Sequence, residues 1–336
     1  MLLFSGASRK YFAIDLGTNN TLVYQPRRGI IFDEPTSLLF DHKGHKFFGS
    51  GFLSQKMVGK NPKNIEVFNP LDKGAISNII AAKAYVKNLI QQLTKGTMLK
   101  PHIIVSVPSD LNSIERNAVI EAGKEGGAKS VLLLKDPFAA AIGSMQDISY
   151  PKGILVLDIG AGVSEISLLS CNGIVMSKSL RVAGNDLDEA IVEYFKNEKR
   201  IFFSLHEAEI LKKEFKDILA LDERIVKVSG KNLITRMPEI FDISSLDIRT
   251  AMLPVVNKIV TLVHSMLSTL PPSFALDIYD NGILLTGGTS MLGGLDAYIS
   301  QKLEITIKSV ENPLHNIILG AGKVIEDTRY NTLLSR

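Results

Sequence analysis

Residues 153–169 read GILVLDIGAGVSEISLL, and this stretch decides the fold of the chain. An apolar strand pattern ends in Asp158, a turn with Gly160 and Gly162 follows, and a second strand pattern starts directly after the turn. Because glycine has no Cβ atom, the backbone can turn tightly there and bring its N–H groups against a phosphate. Asp158 can hold a hydrated Mg²⁺ ion beside that phosphate. The stretch therefore predicts a phosphate loop within a β-hairpin.

A near copy of this pattern lies at 12–25, which reads FAIDLGTNNTLVYQ. Asp15, Gly17 and Thr18 occupy the same places between two strand patterns. An isolated Asp-x-Gly between strands is more often an ordinary hairpin turn. Two such hairpins in one chain predict two related halves that hold one nucleotide.

A third element lies at 282–292, GILLTGGTSML, where an apolar strand pattern meets Gly287 and Gly288. Thr289 and Ser290 are suitable N-cap residues for a following helix. The order hairpin, hairpin, strand-Gly-Gly-helix resembles the superfold that actin, Hsp70 and the sugar kinases share. The predicted fold class is α/β, an actin-like ATPase fold of two RNase H-like lobes with a nucleotide cleft between them, each with a small inserted subdomain.

Length and composition agree with two globular lobes. The chain has 336 residues, too many for one typical core, and fits two domains of about 150 residues each. We predict a first lobe at 1–150 with an insertion at about 32–74, and a second lobe at 151–336 with an insertion at about 185–250. The net charge of +3 comes from dispersed Lys and Arg residues, so no nucleic-acid partner is predicted.

The single cysteine, Cys171, excludes an internal disulfide and suits a reducing cytoplasm. We expect it to be a small buried residue at a strand end. No apolar run is expected to reach the roughly 18 residues of a membrane span, and the N-terminus does not resemble a signal peptide. The predicted location is the cytoplasm, with peripheral membrane contact left open.

Helix and strand patterns alternate in both halves, which predicts mixed or parallel sheets flanked by helices. Asn112 with Glu115 matches a capping box at the start of one helix. The segment 225–234 predicts a small β insertion, and the apolar side of a helix at 250–268 predicts core packing.

Over nearly its whole length the chain resembles the MreB family of bacterial actins. Hsp70 chaperones need a long substrate domain for which no chain remains, and sugar kinases need a catalytic base aimed at a hydroxyl. The segments that carry the resemblance are FAIDLGTNNTLVY (12–24), FNPLDKGAI (68–76), IERNAVIEAGKEGGA (114–128), DPFAAAIGS (136–144), RVAGNDLDEAIVEY (181–194), PPSFALDIYDNGILLTGGTSMLGGLD (271–296) and ENPLHNIILGAG (311–322).

The resemblance implies that the chain binds ATP and Mg²⁺, with the metal held through water by Asp15 and Asp158. It further implies self-assembly into filaments, typically paired and antiparallel, on the inner face of the cell membrane. Other MreB-type copies are expected as further partners. Such filaments guide wall synthesis and cell shape, or serve shape and motility in a cell without a wall.

The resemblance also implies, position by position, which residues bind the nucleotide. For Glu209 and Lys212 an exposed i,i+3 helix pair is the alternative. The first phosphate loop is expected to use Asp15, Gly17, Thr18, Asn19 and Asn20, and the second Asp158, Gly160, Ala161, Gly162, Val163 and Ser164. At the sugar and base we expect Gly184, Glu209 and Lys212. On the adenine side we expect Gly287, Gly288, Thr289 and Ser290.

Two positions depart from the family pattern at the site that orients the attacking water. Lys135 stands where the family has a Glu, and Val163 stands where it has a Thr. A carboxylate can accept hydrogen bonds from water, whereas an ammonium has three donors and no acceptor. We therefore expect weakened hydrolysis and at most a slow ATPase. The alternatives are that Lys135 snorkels or pairs with Asp136, that it contacts the γ-phosphate, that the chain is an ordinary slow ATPase, or that it is a small-molecule kinase.

Membrane contact is a further hypothesis. Met98 and Leu99 form an apolar pair between Lys95 and Lys100, and the chain starts with MLLF. The family uses such apolar segments on membranes, and lysines attract anionic lipid. A partly buried loop is the alternative.

Overall fold

The structure is a computed structural model and describes residues 11–41, 47–58, 60–62, 64–95, 100–215, 217–219 and 224–335. By contacts the chain divides into two compact units. The first takes its described residues from Met1–Lys152, Leu169–Val175 and Leu314–Arg336, and the second from Gly153–Leu168 and Met176–Pro313. The lobe boundaries given above stay predictions.

The described residues form strands and α-helices with the following bounds. The strands are β1 (Tyr11–Leu16), β2 (Asn20–Gln25), β3 (Gly29–Pro35), β4 (Leu38–Asp41), β5 (Phe47–Ser50), β6 (Ile65–Phe68), β7 (Leu71–Asp72), β8 (Ala75–Ile76), β9 (His102–Val107), β10 (Ser130–Lys135), β11 (Ile154–Ile159), β12 (Ser164–Ser170), β13 (Gly173–Leu180), β14 (Ile201–Phe202), β15 (Ile225–Asn232), β16 (Pro238–Ser244), β17 (Ile283–Thr286) and β18 (Ile307–Ser309). The helices are α1 (Phe52–Gln55), α2 (Ile79–Leu93), α3 (Ser113–Glu125), α4 (Asp136–Gly143), α5 (Gly184–Tyr194), α6 (Leu205–Glu214), α7 (Ser245–Ser268), α8 (Pro272–Asn281), α9 (Leu295–Leu303) and α10 (Asn316–Glu326).

The first unit contains a five-stranded sheet in the order β10-β9-β1-β2-β3. β1, β2 and β3 form an antiparallel meander, while β9 runs parallel to β1 and β10 parallel to β9. The parallel strands are almost continuously apolar because helices cover them, and α2 and α3 contribute Tyr85, Leu89 and Val119 to the core. This arrangement confirms the predicted mixed sheet flanked by helices.

The second unit repeats the same plan. Most of the residues of the second five-stranded sheet belong to this unit. The sheet has the order β13-β12-β11-β17-β18, with β17 parallel to β11 and β18 parallel to β17. In both sheets the first hairpin of the unit supplies the central strand, and later strands add to it in parallel. The predicted internal duplication is therefore present in the fold.

Smaller sheets lie within the two ranges predicted as insertions, except that β8 follows the first range directly. Strands β5, β4 and β6 form an antiparallel sheet in the first unit, and β7 pairs with β8 in a short hairpin. In the second unit, β14, β15 and β16 form a three-stranded antiparallel sheet. The β insertion predicted at 225–234 corresponds to β15.

Helix α7 is long and apolar enough, by length and composition, to cross a membrane; it is the one such helix in the part of the chain that the structure describes. Its apolar side lies in the core of the second unit, where Met252, Val256, Ile259 and Val263 are fully buried. A helix in the core of a protein can have the same length and composition. The predicted core packing of this helix is confirmed.

Two local predictions were wrong. Cys171 is exposed rather than buried, because β12 ends at Ser170 and Cys171 forms the following turn with a φ of 50°. Thr289 and Ser290 do not cap a helix: they lie in the 3-10 turn Gly288–Met291, and α9 begins only at Leu295. Their hydroxyls donate to carbonyl oxygens instead of accepting from helix N–H groups.

The predicted capping box at the start of α3 is confirmed. Oδ1 of Asn112 accepts hydrogen bonds from the N–H groups of Ile114 and Glu115 at 2.9 and 3.0 Å, and Oε2 of Glu115 accepts from the Asn112 N–H at 3.0 Å. We expect Asn112→Ala to cost about 1 kcal/mol of stability because two helix N–H groups lose their acceptor. Amide exchange in α3 measures the effect, with Asn112→Ser as the control that keeps the cap. Equal exchange in the Ala variant and wild type would contradict the prediction.

Candidate functional site

The first glycine turn, Gly17–Asn20, joins β1 to β2. The Gly17 N–H donates to the Asn20 carbonyl oxygen at 3.1 Å, and a Cβ atom at Gly17 would lie 2.7 Å from that oxygen. Only glycine fits there without displacing the backbone. The turn is therefore as tight as its sequence predicts.

Neighbouring segments hold two carbonyls of this turn. Nδ2 of Asn69 donates to the Thr18 carbonyl at 2.7 Å, and the Thr36 N–H donates to the Asn19 carbonyl at 2.8 Å. In a trans peptide the C=O and the following N–H point in opposite directions, and no cis peptide occurs among the described residues. The N–H groups of Asn19 and Asn20 are therefore turned to the other side of the turn, as in an anion-binding nest.

Asp15 lies at the end of β1, beside this turn. Strands β1 and β9 are parallel and pair Asp15 with Ser106, whose hydroxyl donates to Oδ1 of Asp15 at 3.0 Å. Burial raises the pKa of Asp15 to about 6, and the hydrogen bond from Ser106 opposes that rise. A carboxylate whose ionisation is opposed by burial gains stability from a nearby cation.

Two side chains expected to meet the nucleotide are engaged within their own unit. The Thr18 hydroxyl accepts from the Gly74 N–H at 3.2 Å. Nδ2 of Asn20 donates to Oδ1 of Asp33 at 3.2 Å, and Nε2 of His315 lies 3.2 Å from the other oxygen of that carboxylate. These contacts brace the first turn, while the ligand roles of both side chains stay predictions.

The second glycine turn, Gly160–Val163, has the same backbone arrangement. The Gly160 N–H donates to the Val163 carbonyl at 2.9 Å. The Gly160 carbonyl accepts from the Gly184 N–H at 3.2 Å and from the Thr289 hydroxyl at 2.7 Å. The Asn185 N–H donates to the carbonyl of residue 161 at 2.8 Å. By the same peptide geometry, the N–H groups of residues 161 and 162 are turned away from α5.

Glycines let the segments around this turn approach one another. A Cβ atom at Gly184 would lie 2.5 Å from the Thr289 hydroxyl oxygen. A Cβ atom at Gly287, where φ is 89°, would overlap Oδ1 of Asp158 and the Ile159 backbone. The second turn, the start of α5 and the Gly287–Ser290 segment are thus brought together within the second unit, while their contacts with a nucleotide stay predictions. Ser164 completes the group by donating to the Val182 carbonyl at 2.7 Å.

Lys212 is nearly buried and turned toward this group. Its Nζ donates to the Gly184 carbonyl at 2.9 Å and to Oδ2 of Asp188 at 2.8 Å. Glu209 pairs instead with Lys213 at 2.7 Å, so the alternative of an i,i+3 pair between Glu209 and Lys212 was wrong. The contacts of Glu209 and Lys212 with sugar and base stay predictions.

The two departures from the family pattern lie in different units. Lys135 is the last residue of β10, half-buried, and immediately precedes α4. Among the residues that the structure describes, no ion pair or hydrogen bond reaches its ammonium. Val163 is half-buried and closes the second turn with its carbonyl. Met98 and Leu99, expected at the membrane, lie outside the described residues.

Sequence reasoning missed three residues that brace the turns: Ser106, Asn69 and Asp188. Ser106 could have been found because the carboxyl ends of neighbouring parallel strands meet at one edge of a sheet. Asp188 follows Gly184 by four residues, which places it one helical turn further along α5. Nothing in the sequence indicates that Asn69 donates a hydrogen bond to the Thr18 carbonyl.

The groups present fit Mg²⁺ and phosphate. Each unit offers a glycine turn with N–H groups on one side and a carboxyl group, Asp15 or Asp158, at the end of the preceding strand. No group of three metal-ligating His, Cys, Asp or Glu side chains occurs among the described residues. That donor set suits a Mg²⁺ ion that keeps most of its water.

Comparisons with known proteins give one consistent result. A family model described as MreB/Mbl protein matches residues 9–332. The chain is 32% identical over 317 residues to the cell shape-determining protein Mbl of Bacillus subtilis, covering 94% of this chain and 95% of Mbl. It is 33% identical over 330 residues to the cell shape-determining protein MreB of Escherichia coli, covering 96% and 95% of the two chains.

Solved structures agree with the sequence comparison. MreB5 of Spiroplasma citri bound to ADP superposes with a TM-score of 0.91 at 30% identity, covering 97% of this chain and 98% of MreB5. A MamK double helical filament superposes with a TM-score of 0.79 at 19% identity, covering 95% and 99%. The MamK likeness concerns the fold alone.

Proposed function

Because the chain belongs to the MreB/Mbl family and has its actin-like fold, we propose that it is a cytoskeletal protein that binds ATP with Mg²⁺ and assembles into filaments. The observation that carries nucleotide binding is the repeated glycine turn. In both turns neighbouring segments hold the carbonyls, and the N–H groups are turned to the other side.

Residues of each turn have defined roles in this proposal. The N–H groups of Asn19 and Asn20, and those of residues 161 and 162, donate to phosphate oxygens. Asp15 and Asp158 hold Mg²⁺ through water. When bound, Mg²⁺ neutralises negative charge on the phosphate oxygens. The likeness to a protein solved with ADP and also with AMPPNP supports this assignment.

Filament assembly for cell shape rests on family membership, because the curated relatives Mbl and MreB are named cell shape-determining proteins. Membrane contact, a location at the inner face of the membrane, and motility stay predictions from the resemblance. So do pairing of the filaments and further MreB-type partners.

Hydrolysis is weak in this proposal. Lys135 offers only donors where a carboxylate would accept hydrogen bonds from water, and Val163 has no hydroxyl. The glycine turns need neither side chain, so nucleotide binding and filament assembly persist while turnover is slow.

Calorimetry with ADP and Mg²⁺, and electron microscopy of samples with ATP or AMPPNP, test the proposal. We expect saturable nucleotide binding and filaments with either triphosphate. Well-folded protein that binds no nucleotide would contradict the binding proposal. Binding without filaments, together with phosphate transfer to a small hydroxyl compound, would favour the small-molecule kinase.

A further inference from the structure

An ion pair between Asp188 of α5 and Lys212 of α6 lies directly behind the second glycine turn. The exposed fractions of the two side chains are 8% and 13%, so water screens the pair little. Oδ2 of Asp188 lies 2.8 Å from Nζ of Lys212. Oδ1 of Asp188 is buried and has no hydrogen-bond partner among the described residues. The Lys212 ammonium is therefore the group that compensates this carboxylate.

A chain of hydrogen bonds runs from this pair to the glycine turn. Lys212 donates to the carbonyl of Gly184, and the N–H of the same peptide unit belongs to Asn185. That N–H donates to the carbonyl of residue 161, at 2.8 Å. The carbonyl of residue 161 shares its peptide unit with the N–H of Gly162, which is turned away from α5. The peptide units 184–185 and 161–162, joined by this hydrogen bond, thus connect the ion pair to the N–H of Gly162, a proposed phosphate donor.

Hydrogen bonds in such a chain polarise and orient one another. A cation at the Gly184 carbonyl strengthens the Asn185 N–H as a donor, which in turn fixes the peptide between residues 161 and 162. Asp188 keeps the cation in place, because a nearly buried ammonium without its counterion is costly and Lys212 is long enough to turn out to solvent.

We infer that Asp188 and Lys212 are positioning residues that set the phosphate affinity of the second glycine turn through the peptides of Gly184 and residue 161. The inference rests on the proposed nucleotide binding and names the groups that control it. It differs from the contact with sugar and base that the resemblance implies for Lys212, since here Lys212 acts through the backbone.

The ion pair is sensitive to pH. Burial raises the pKa of Asp188 to about 6, while Lys212 opposes this rise, and the other facing charges are Glu209, which raises the pKa, and Lys213, which lowers it. Asp188 is ionised at pH 7.5 and protonated well below pH 6. The carboxylate that pairs with Lys212 is therefore present at the higher pH and lost at the lower.

The test compares the affinity of wild type and Asp188→Asn for ADP with Mg²⁺ at several pH values. We expect the variant to bind about tenfold more weakly at pH 7.5, the scale of one hydrogen bond to a charged group. The ratio of the two dissociation constants should fall to about 2 or less near pH 5, where wild type also lacks the carboxylate. Taking the ratio cancels the titration of ADP and of Asp15, which is common to both proteins.

Three further measurements keep the inference falsifiable. The double variant Asp188→Asn with Lys212→Met should bind ADP no more weakly than Asp188→Asn alone, because both residues act as one unit. Lys213→Met, which removes an exposed cation from the same helical turn, should bind like wild type. In the ligand-free protein, Asp188→Asn should speed hydrogen exchange of the Asn185 amide, a readout that needs no nucleotide.

The outcomes separate the inference from the proposed function. Wild type that binds ADP, together with a ratio independent of pH or an unchanged Asn185 exchange rate, would overturn the inference alone. Additive losses in the double variant would assign Lys212 a direct ligand role and also overturn it. Folded wild type that binds no ADP would overturn both.

Discussion

Replacing Lys135 by Glu together with Val163 by Thr is expected to raise the rate of phosphate release from ATP about 10²-fold. The double variant supplies a carboxylate at the end of β10 and a hydroxyl at the end of the second glycine turn. Both groups can accept hydrogen bonds from water, which Lys135 and Val163 cannot. Continuous measurement of released phosphate, at saturating ATP and below the concentration of assembly, reports the rate without filament effects.

Single variants and a charge control assign the cause. Each single replacement should give a smaller gain than the pair, because each supplies only one of the two missing hydrogen-bond acceptors. Lys129→Glu makes the same charge change at an exposed residue near the start of β10 and should leave the rate unchanged. A rate of phosphate release in wild type that equals or exceeds that of the double variant would contradict the proposal of weakened hydrolysis.

Replacing Gly320 by Ala is expected to destabilise the first unit by about 3 kcal/mol and to lower the melting temperature by about 5 to 10 °C. Helix α10 crosses α4 at this residue, and both helices belong to the first unit. A Cβ atom at Gly320 would overlap the Ala139 carbonyl oxygen and lie 2.8 Å from the Gly143 nitrogen. These are backbone atoms, so no rotamer change can relieve the overlap and the helices must separate.

Thermal melting of ligand-free protein measures this effect. Gly173→Ala is the control, since a Cβ atom there would meet only the Ser170 carbonyl oxygen, at an ordinary 3.4 Å. We expect that control to melt within about 2 °C of wild type, as for an uncrowded site. A melting temperature for Gly320→Ala equal to that of the control would mean that α4 and α10 are not packed as described.

Much of the fold could be read from local pattern. The two hairpins, the glycine turns, the capping box at Asn112 and the apolar side of α7 each depend on residues within a few positions of one another. Backbone sterics and hydrophobic period act over that range, so sequence reasoning reached them. It failed at Cys171, Thr289 and Ser290, where a turn or a distant carbonyl took the place of the local preference.

By itself, the sequence determined that two glycine turns follow two apolar strands, and that a carboxylate ends each of those strands. Only the tertiary structure decided that Ser106 meets Asp15, that Lys212 faces Asp188 instead of Glu209, and that 314–335 belongs to the first unit. These pairings join residues far apart in the chain, and they are selected by how whole helices and strands pack. The local sequence does not determine that packing, because the same residues could form hydrogen bonds with other partners.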